Sequence, residues 1–241
     1  PKLPAALNAT DVAKSREGSD ILLVSHGQPL QVSSAFDVGA ASTAVPVASN
    51  PACVSKDETL MIASCTNAVL FRITNAPLCD GTSTEFQFGA AGNTSTSLGA
   101  GFPAGAELMR TFEKVWYVAD TGRRRTAANI PVMALFRLTN GVPVEMVEGV
   151  EYMQVLYGQD MGSNRLRYVP ADDGSLDLDS DEIVGVRIAL LMQSFEHVLD
   201  APDSRTYRVA DQEIASTGTT FTHNGDNALR RVFQTTVLLK N

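Results

Sequence analysis

The chain has 241 residues, of which 44% are hydrophobic and 19% are charged, and its formal net charge is −8 at pH 7. This composition excludes a disordered chain. The length allows one domain with a sizeable core over residues 1–241, and two small domains remain possible. The acidic balance argues against direct binding to nucleic acid or to an anionic membrane surface. No apolar run approaches the length of a bilayer span, and the first residues show no pattern that predicts a secretory leader.

The first half of the chain carries short apolar runs bounded by turn residues, which predict strands. These runs are residues 20–27, 60–63, 69–73 and 85–88. Residues 35–51 are rich in Ala, Ser, Gly and Pro, which predicts a loop with at most one strand. Residues 89–105 consist almost entirely of small and polar residues. We therefore expect this segment to be a surface loop outside the core.

The most strongly patterned stretch is residues 115–158, which we expect to organise the fold. Apolar strands at residues 115–120 and 132–140 flank a loop that holds Arg123, Arg124 and Arg125. Such a hairpin tip either binds an acidic partner or phosphate, or is simply soluble surface. A polar turn at residues 140–141 then leads to a third strand.

Individual residues in this stretch have predicted structural roles. Trp116 and Tyr117 alternate across their strand, so one is expected to face the core and the other solvent or a partner. Gly149 and Val150 are expected at a tight passage of the backbone. Tyr157 is expected to pack in the sheet. These residues are interpreted as determinants of the fold and not as a site.

The second half adds predicted strands at residues 165–169, 183–193 and 232–239, with short helical turns near 195–199 and 229–231. Alternation places one apolar row on a single face of the strand at 183–193. This row is Val184, Val186, Ile188, Leu190 and Met192. Nine to twelve strands and at most two short helices predict a sheet-dominated α+β fold, mainly antiparallel.

Three cysteines are candidates for disulfide chemistry: Cys53, Cys65 and Cys79. In an oxidising compartment, two of them would pair and one would remain. Spacing leaves all three pairings open. A zinc site is disfavoured because the C-x₂-C pattern is absent and the three histidines are scattered.

An acidic run at residues 172–182 has the oxygen-rich composition that calcium requires. The candidate ligands are Asp172, Asp173, Asp177, Asp179 and Asp181. The order of residues does not match an EF-hand, and a solvated acidic loop is the alternative that we favour. No nucleophile–base pair, carboxylate pair or phosphate loop emerges elsewhere. We therefore expect neither an enzyme nor a cofactor.

Several ordered motifs resemble one known family. The aromatic pair Trp116-Tyr117 is followed by a strand that contains Leu135-Phe136-Arg137. Residues 147–158 then read Val-Glu-Gly-Val-Glu-x-x-Gln-Val-Leu-Tyr-Gly, and the resemblance continues through residues 184–191 and the closing segment 227–241. Together these motifs resemble the PilW family of type IV pilus minor pilins. They are similar, more distantly, to the J-type minor pseudopilins of type II secretion.

The resemblance implies a pilin-like antiparallel sheet whose N-terminal apolar helix is absent from this chain. A sheet face that such a helix would cover is then expected to be exposed or covered by another element. The resemblance also bears on the cysteines. Cys65 matches a strand cysteine of the family whose partner lies upstream, which favours the pairing of Cys53 with Cys79.

The function that the resemblance implies is structural. Such a subunit joins other minor pilins, the major pilin and a tip adhesin to initiate the pilus and cap it, with adhesion and twitching motility as consequences. Its helix anchors it at the periplasmic face of the inner membrane of a Gram-negative bacterium, before it reaches the pilus tip at the cell surface. The alternatives are a type II secretion minor pseudopilin, or an extracellular β-sheet binding or adhesion module that uses the loops at residues 89–105 and 172–182.

Overall fold

Runs of β-branched and aromatic residues fold into strands along nearly the whole chain. The computed structural model describes residues 14–79, 82, 84–125, 129–139, 142–163, 165–176, 183–218 and 221–239. In chain order the strands are β1 Leu22–Ser33, β2 Ala44–Val47, β3 Thr59–Ala63, β4 Ala68–Arg72, β5 Thr84–Gln87, β6 Glu107–Arg125, β7 Ile130–Thr139, β8 Val142–Glu148, β9 Val150–Asp160, β10 Leu166–Val169, β11 Ile183–His197, β12 Tyr207–Val209, β13 Gln212–Ala215, β14 Phe221–Thr222 and β15 Ala228–Leu238.

The fold class is all-β, so the predicted α+β class with a pilin-like sheet is wrong. None of the described residues is helical. Residues 195–197 continue β11 and residues 229–231 belong to β15, because these two strands pair with each other, and the amides of Val198 and Leu199 donate to the Asn227 carbonyl. His197 lies opposite Ala228, and Arg230 lies opposite Gln193, in the pairing of β11 with β15. Ladder hydrogen bonds outweigh the weak helical propensity of such short segments.

The chain forms two compact units. The smaller unit is Ser25–Glu113, and the larger unit combines Pro1–Val24 with Lys114–Asn241. Strands β1 and β6 each contribute residues to both units. The expectation of a single domain stays a prediction.

The smaller unit buries alternating residues of short strands. β3 pairs with β4 and with the beginning of β6, while β2 pairs with β5. Its buried core comprises Val45, Val47, Leu60, Ile62, Phe71, Phe86, Phe88, Phe102 and Leu108, among others. The predicted strands at residues 60–63, 69–73 and 85–88 agree with β3, β4 and β5 to within about one residue at each end.

The segment at residues 89–105 is anchored to the core of the smaller unit, contrary to the expectation of a loop outside it. Leu98 and Phe102 are buried with the core strands. The Asn93 amide bridges two backbone segments, since its oxygen accepts from the Arg72 amide at 2.7 Å and its nitrogen donates to the Gly89 carbonyl at 2.8 Å. Two large buried side chains and the half-buried Asn93 amide are enough to fix a segment of otherwise small residues.

A disulfide joins Cys53 to Cys79 in the smaller unit, and Cys65 is free and exposed. This is the pairing that the family resemblance favours. The fully buried Asn50 holds the two ends of the same loop, because its amide nitrogen donates to the carbonyls of Val54 and Leu78. The bridge therefore closes a loop that the Asn50 side chain also ties together.

The larger unit contains two antiparallel sheets and a small three-stranded sheet. β6 pairs with β7, and β7 with β8. The second sheet has the order β10-β9-β11-β15, and β12, β13 and β14 form the third, which includes one parallel pair. Val118, Met133 and Leu135 of the first sheet pack with Met153 and Val155 of the second in one buried cluster.

Gly149 is the point where the chain passes from one sheet to the other. It separates β8 from β9, its φ is +84°, and its amide donates to the Met133 carbonyl at 2.8 Å. Its own carbonyl accepts from the Gln193 amide at 2.8 Å. A Cβ at this position would lie 2.7 Å from the Gln193 carbonyl oxygen, so the passage has no room for a side chain.

Candidate functional site

The candidate site is a face of the four-stranded sheet that becomes progressively uncovered toward its last strand. Directly opposite residues in antiparallel strands share a face. Val155 and Met153 of β9 are 4% and 2% exposed, and they lie opposite Ile188 and Leu190 of β11, which are half-buried. The neighbouring sheet therefore covers β11 less completely than it covers β9.

On β15 the same face reaches solvent. Phe233 lies opposite Leu190 and is 54% exposed, and Val237 lies opposite Val186 and is 49% exposed. We call Val186, Ile188, Leu190, Phe233 and Val237 the open face. An apolar row of this kind, continuous with a buried core and open at its end, is typical of a surface that another chain covers.

The strand β8 presents further apolar side chains at the edge of the other sheet. Val142, Val144 and Val147 are all exposed, and they lie opposite Thr139, Arg137 and Leu135 of β7. Leu135 belongs to the same buried cluster as Met153 and Val155. Each of the two sheets thus has an edge strand with exposed apolar side chains, although β8 also carries Glu145 and Glu148.

A buried ionic cluster lies on the opposite side of β15 from the open face. The Arg230 guanidinium donates to both carboxylate oxygens of Glu151, at 2.7 and 3.1 Å. It also donates to Asp226 at 2.7 Å and to Asp203 at 3.4 Å. The side chains of Arg230, Glu151 and Asp203 are fully buried. The guanidinium therefore links strands and loops through three carboxylates. Removing any one of these partners would leave an uncompensated buried charge, which is strongly destabilising.

The pKa values of Asp203 and Arg230 favour their charged forms, and the pKa of Tyr207 favours its neutral form. Burial alone would raise the pKa of Asp203, but hydrogen bonds from Arg205 and Tyr207 outweigh it and lower the pKa to about 2. Burial, and then the hydrogen bond to Asp203, raise the pKa of Tyr207 to about 12. Burial alone would also lower the pKa of Arg230, yet the contacts with Glu151 raise it. Asp203 and Arg230 are therefore charged at neutral pH, whereas the Tyr207 hydroxyl keeps its proton and donates to Asp203.

The three arginines expected at one hairpin tip have three different environments. Arg123 contacts Glu145, and it donates to Glu148 at 2.7 Å. Arg124 pairs with Asp120 at 2.8 Å. Arg125 is the exception.

Arg125 lies inside the larger unit, since only 4% of its side chain is exposed. It donates to the Ser194 carbonyl at 3.0 Å and lies 3.9 Å from Asp226. A run of three arginines had indicated a solvated tip, but only Arg123 and Arg124 fit that description.

The sequence-predicted calcium ligands are only partly described. Asp173 accepts hydrogen bonds from the amide and hydroxyl of Ser175, and it pairs with Arg167 at 2.9 Å. These hydrogen bonds, chiefly from Ser175, lower the pKa of Asp173. Asp172 is exposed, and Asp177, Asp179 and Asp181 lie outside the described residues. Within the described ranges no three His, Cys, Asp or Glu side chains group as metal ligands do. The solvated acidic loop that we favour and its calcium-binding alternative therefore both stay predictions.

The residues expected to determine the fold are distributed over both faces of their strands. Trp116 packs on the cluster between the sheets, and Tyr117 is buried on the other face of β6 and stacks on Phe136. Both aromatic side chains therefore contact apolar clusters. The Arg137 guanidinium lies over the Trp116 ring at 5.8 Å.

At the start of β9, Val150 is fully buried and pairs with Met192. Further along the strand, Tyr157 is half-buried opposite Val186, next to the open face. Tyr157 therefore lies directly opposite a residue of the open face.

Sequence reasoning did not identify the Arg230 cluster. Its members come from β9, β15 and two loops, and Glu151 and Arg230 are 79 positions apart. One local signal was available. Glu151 stands within the apolar run of β9, where a lone charge indicates a buried partner.

These features define a β-sheet protein with an open apolar face braced by a buried ionic cluster. In the part of the chain that the structure describes, no helix has the length and apolarity that a membrane crossing requires. A family model described as Type IV Pilus-assembly protein W matches residues 116–241. The match covers more than half of the chain, so the chain belongs to the PilW family, as the motifs had indicated. Comparison with curated proteins and with solved structures gave no match.

Membership of this family indicates the general process in which the protein takes part. Its members take part in type IV pilus assembly, and this chain is accordingly a pilus-associated protein of the Gram-negative cell envelope. The matched region contains every strand of the open face and every member of the ionic cluster. Both features therefore lie in the part of the chain that the family shares.

Proposed function

We propose that the chain is the ectodomain of a minor pilin that acts by association in the initiation of type IV pilus assembly. In this role it joins other minor pilins, the major pilin and a tip adhesin, first at the periplasmic face of the inner membrane and then at the pilus tip. Adhesion and twitching motility would follow from assembly. The family match supports the process, and the open face supports the mode of action.

The open face is the observation that carries this proposal. Phe233 and Val237 stand half-exposed beside the half-buried row of β11, continuous with the core between the sheets. Covering them would release water from apolar surface, at about 25 cal/mol for each Å² removed. A neighbouring subunit, or an anchoring helix of a longer precursor, would provide that cover.

Deletion of the gene tests the process. We expect loss of surface pili and of twitching, with both restored by the wild-type gene. Unchanged piliation together with a defect in type II secretion would contradict the proposal and favour the pseudopilin alternative. Unchanged piliation and secretion would favour a separate extracellular binding module.

A site-specific photocrosslinker tests the mode of action. Placed at Val186 of the open face in the full-length protein in cells, it is expected to form adducts with other minor pilins, identified by mass spectrometry. Leu70, which is 61% exposed on β4 of the smaller unit, provides the control position. Equal adduct patterns at the two positions, or none at Val186, would contradict the role of the open face.

A further inference from the structure

We propose that β15 is a self-pairing edge, through which two copies of this chain associate by antiparallel strand addition centred on Thr235. The proposal rests on the free edge of the four-stranded sheet and not on the pilus role. Its starting point is the backbone of β15, which pairs with β11 from Arg230 to Leu238 without a register shift.

The register shows which backbone groups the edge offers. The Leu239 amide donates to the Val184 carbonyl at 2.9 Å, so residue 239 points its backbone groups toward β11. In an antiparallel pair this orientation alternates. The amide and carbonyl groups of Val232, Gln234, Thr236 and Leu238 therefore point away from β11. Among the described strands, only β11 pairs with β15.

Other edge strands that the structure describes carry features that prevent strand addition. The edge strand β8 contains Pro143 and two glutamates, and its pairing with β7 has a register shift. The edge strands β10 and β4 have four and five residues, and each contains an arginine. In contrast, residues 232–239 contain no charge and no proline. β15 is thus long, regular and unprotected.

The side chains of β15 indicate a second copy as the occupant. The sequence Val-Phe-Gln-Thr-Thr-Val-Leu at residues 232–238 is symmetric in character about Thr235. Antiparallel pairing centred there places Val232 opposite Leu238, Phe233 opposite Val237, and Gln234 opposite Thr236 of the second copy. Apolar side chains then meet apolar ones on both faces of the strand, and polar ones meet polar ones. A two-fold interface requires this kind of self-complementarity.

Neighbouring registers lose this match. Centring the pair on Gln234 would set Phe233 against Thr235, and centring it on Thr236 would set Gln234 against Leu238. The exposed Arg231 does not oppose the preferred register, because eight residue steps separate the two copies of its side chain. That separation is about 27 Å, so the repulsion between the two arginines is largely screened at physiological ionic strength.

Disulfide trapping tests the register. In a Cys65→Ser background, Thr235→Cys places two thiols at a non-hydrogen-bonded pair, where Cα atoms lie about 4.5 Å apart, within disulfide reach. We expect mild oxidation to convert most of this variant to a covalent dimer. The matched control is Gln234→Cys, whose two copies lie diagonally at about 7–8 Å and should remain monomeric. Efficient crosslinking of the control, or none at position 235, would overturn the proposal.

Light scattering over a wide range of protein concentration tests the association itself. The wild-type chain is expected to approach twice the monomer mass as concentration rises. Thr235→Lys places two like charges directly opposite each other at the two-fold axis of the dimer, which should raise its dissociation constant by roughly tenfold. Thr59→Lys makes the same charge change at an exposed position of β3 and should leave it intact. A wild-type monomer at every concentration, or a dimer indifferent to Thr235→Lys, would overturn the proposal.

Discussion

Arg230 and Glu151 form a bidentate ion pair with no exposure to solvent: the Nε and Nη2 atoms of the arginine lie 2.7 and 3.1 Å from the two carboxylate oxygens. The pair joins β15 to β9 across 79 residues of chain. It therefore links the last strand of the molecule to the strand that follows Gly149.

Removal of the Arg230 guanidinium should destabilise the larger unit strongly. Arg230→Met leaves Glu151, Asp226 and Asp203 as buried carboxylates without their shared partner. We expect a loss of about 3–5 kcal/mol in the free energy of unfolding. Urea unfolding followed by the fluorescence of Trp116, the single tryptophan of the chain, measures it in the larger unit. Arg231→Met, at the exposed neighbouring position, should change the value by less than about 0.5 kcal/mol.

The Asp203 carboxylate should make the stability of the larger unit depend on acid pH. Its pKa of about 2 in the folded chain lies below the ordinary value of 3.8, so folding favours the ionised form. This contribution is complete above about pH 4 and is lost as the pH falls through about 2. In Asp203→Asn, the free energy of unfolding should vary less steeply with pH across that window than in the wild type. Equal slopes for the two proteins would contradict the assignment.

A side chain at Gly149 should strain the passage between the two sheets. In Gly149→Ala the Cβ would lie 2.7 Å from the Gln193 carbonyl oxygen, at a φ of +84°. The left-handed backbone and the forced displacement of β11 together should cost roughly 2–4 kcal/mol. Gly162→Ala separates the two causes, because Gly162 has a φ of +73° and open space around its Cβ position. The control should lose only about 1–2 kcal/mol in the same Trp116 assay.

Loss of the disulfide should weaken the smaller unit. Cys53 and Cys79 are 26 positions apart, and the lower entropy of an unfolded chain closed into a loop of that length stabilises the folded state by about 3.5 kcal/mol at 25 °C. Cys53→Ser with Cys79→Ser should therefore accelerate hydrogen exchange in β3 and β4. Cys65→Ser, which removes the free and exposed thiol, should leave exchange unchanged. Faster exchange in the Cys65 variant alone would contradict the pairing.

Strands with local signals were predicted well from the sequence. β3, β4, β5 and β7 each combine β-branched or aromatic residues with nearby turn residues, and their bounds differ from the predicted ones by only a residue or two. The beginning of β15 was not predicted, because Ala228–Arg231 has no alternation and a helical composition. Its strand conformation comes from pairing with residues of β11 that lie 31 to 39 positions away in the sequence (228−197 and 231−192).

The family of this protein could be read from its sequence, because ordered motifs along residues 116–241 need no coordinates to be compared. The apolar row of β11 could also be read, since alternation along one strand is a local property. Which part of that row is covered depends on how the two sheets of the larger unit meet. The Arg230 cluster likewise depends on bringing β9, β15 and the loops at Asp203 and Asp226 together. Burial and charge pairing depend on contacts between segments that are distant in the sequence. They are therefore determined by the tertiary structure and not by local sequence patterns.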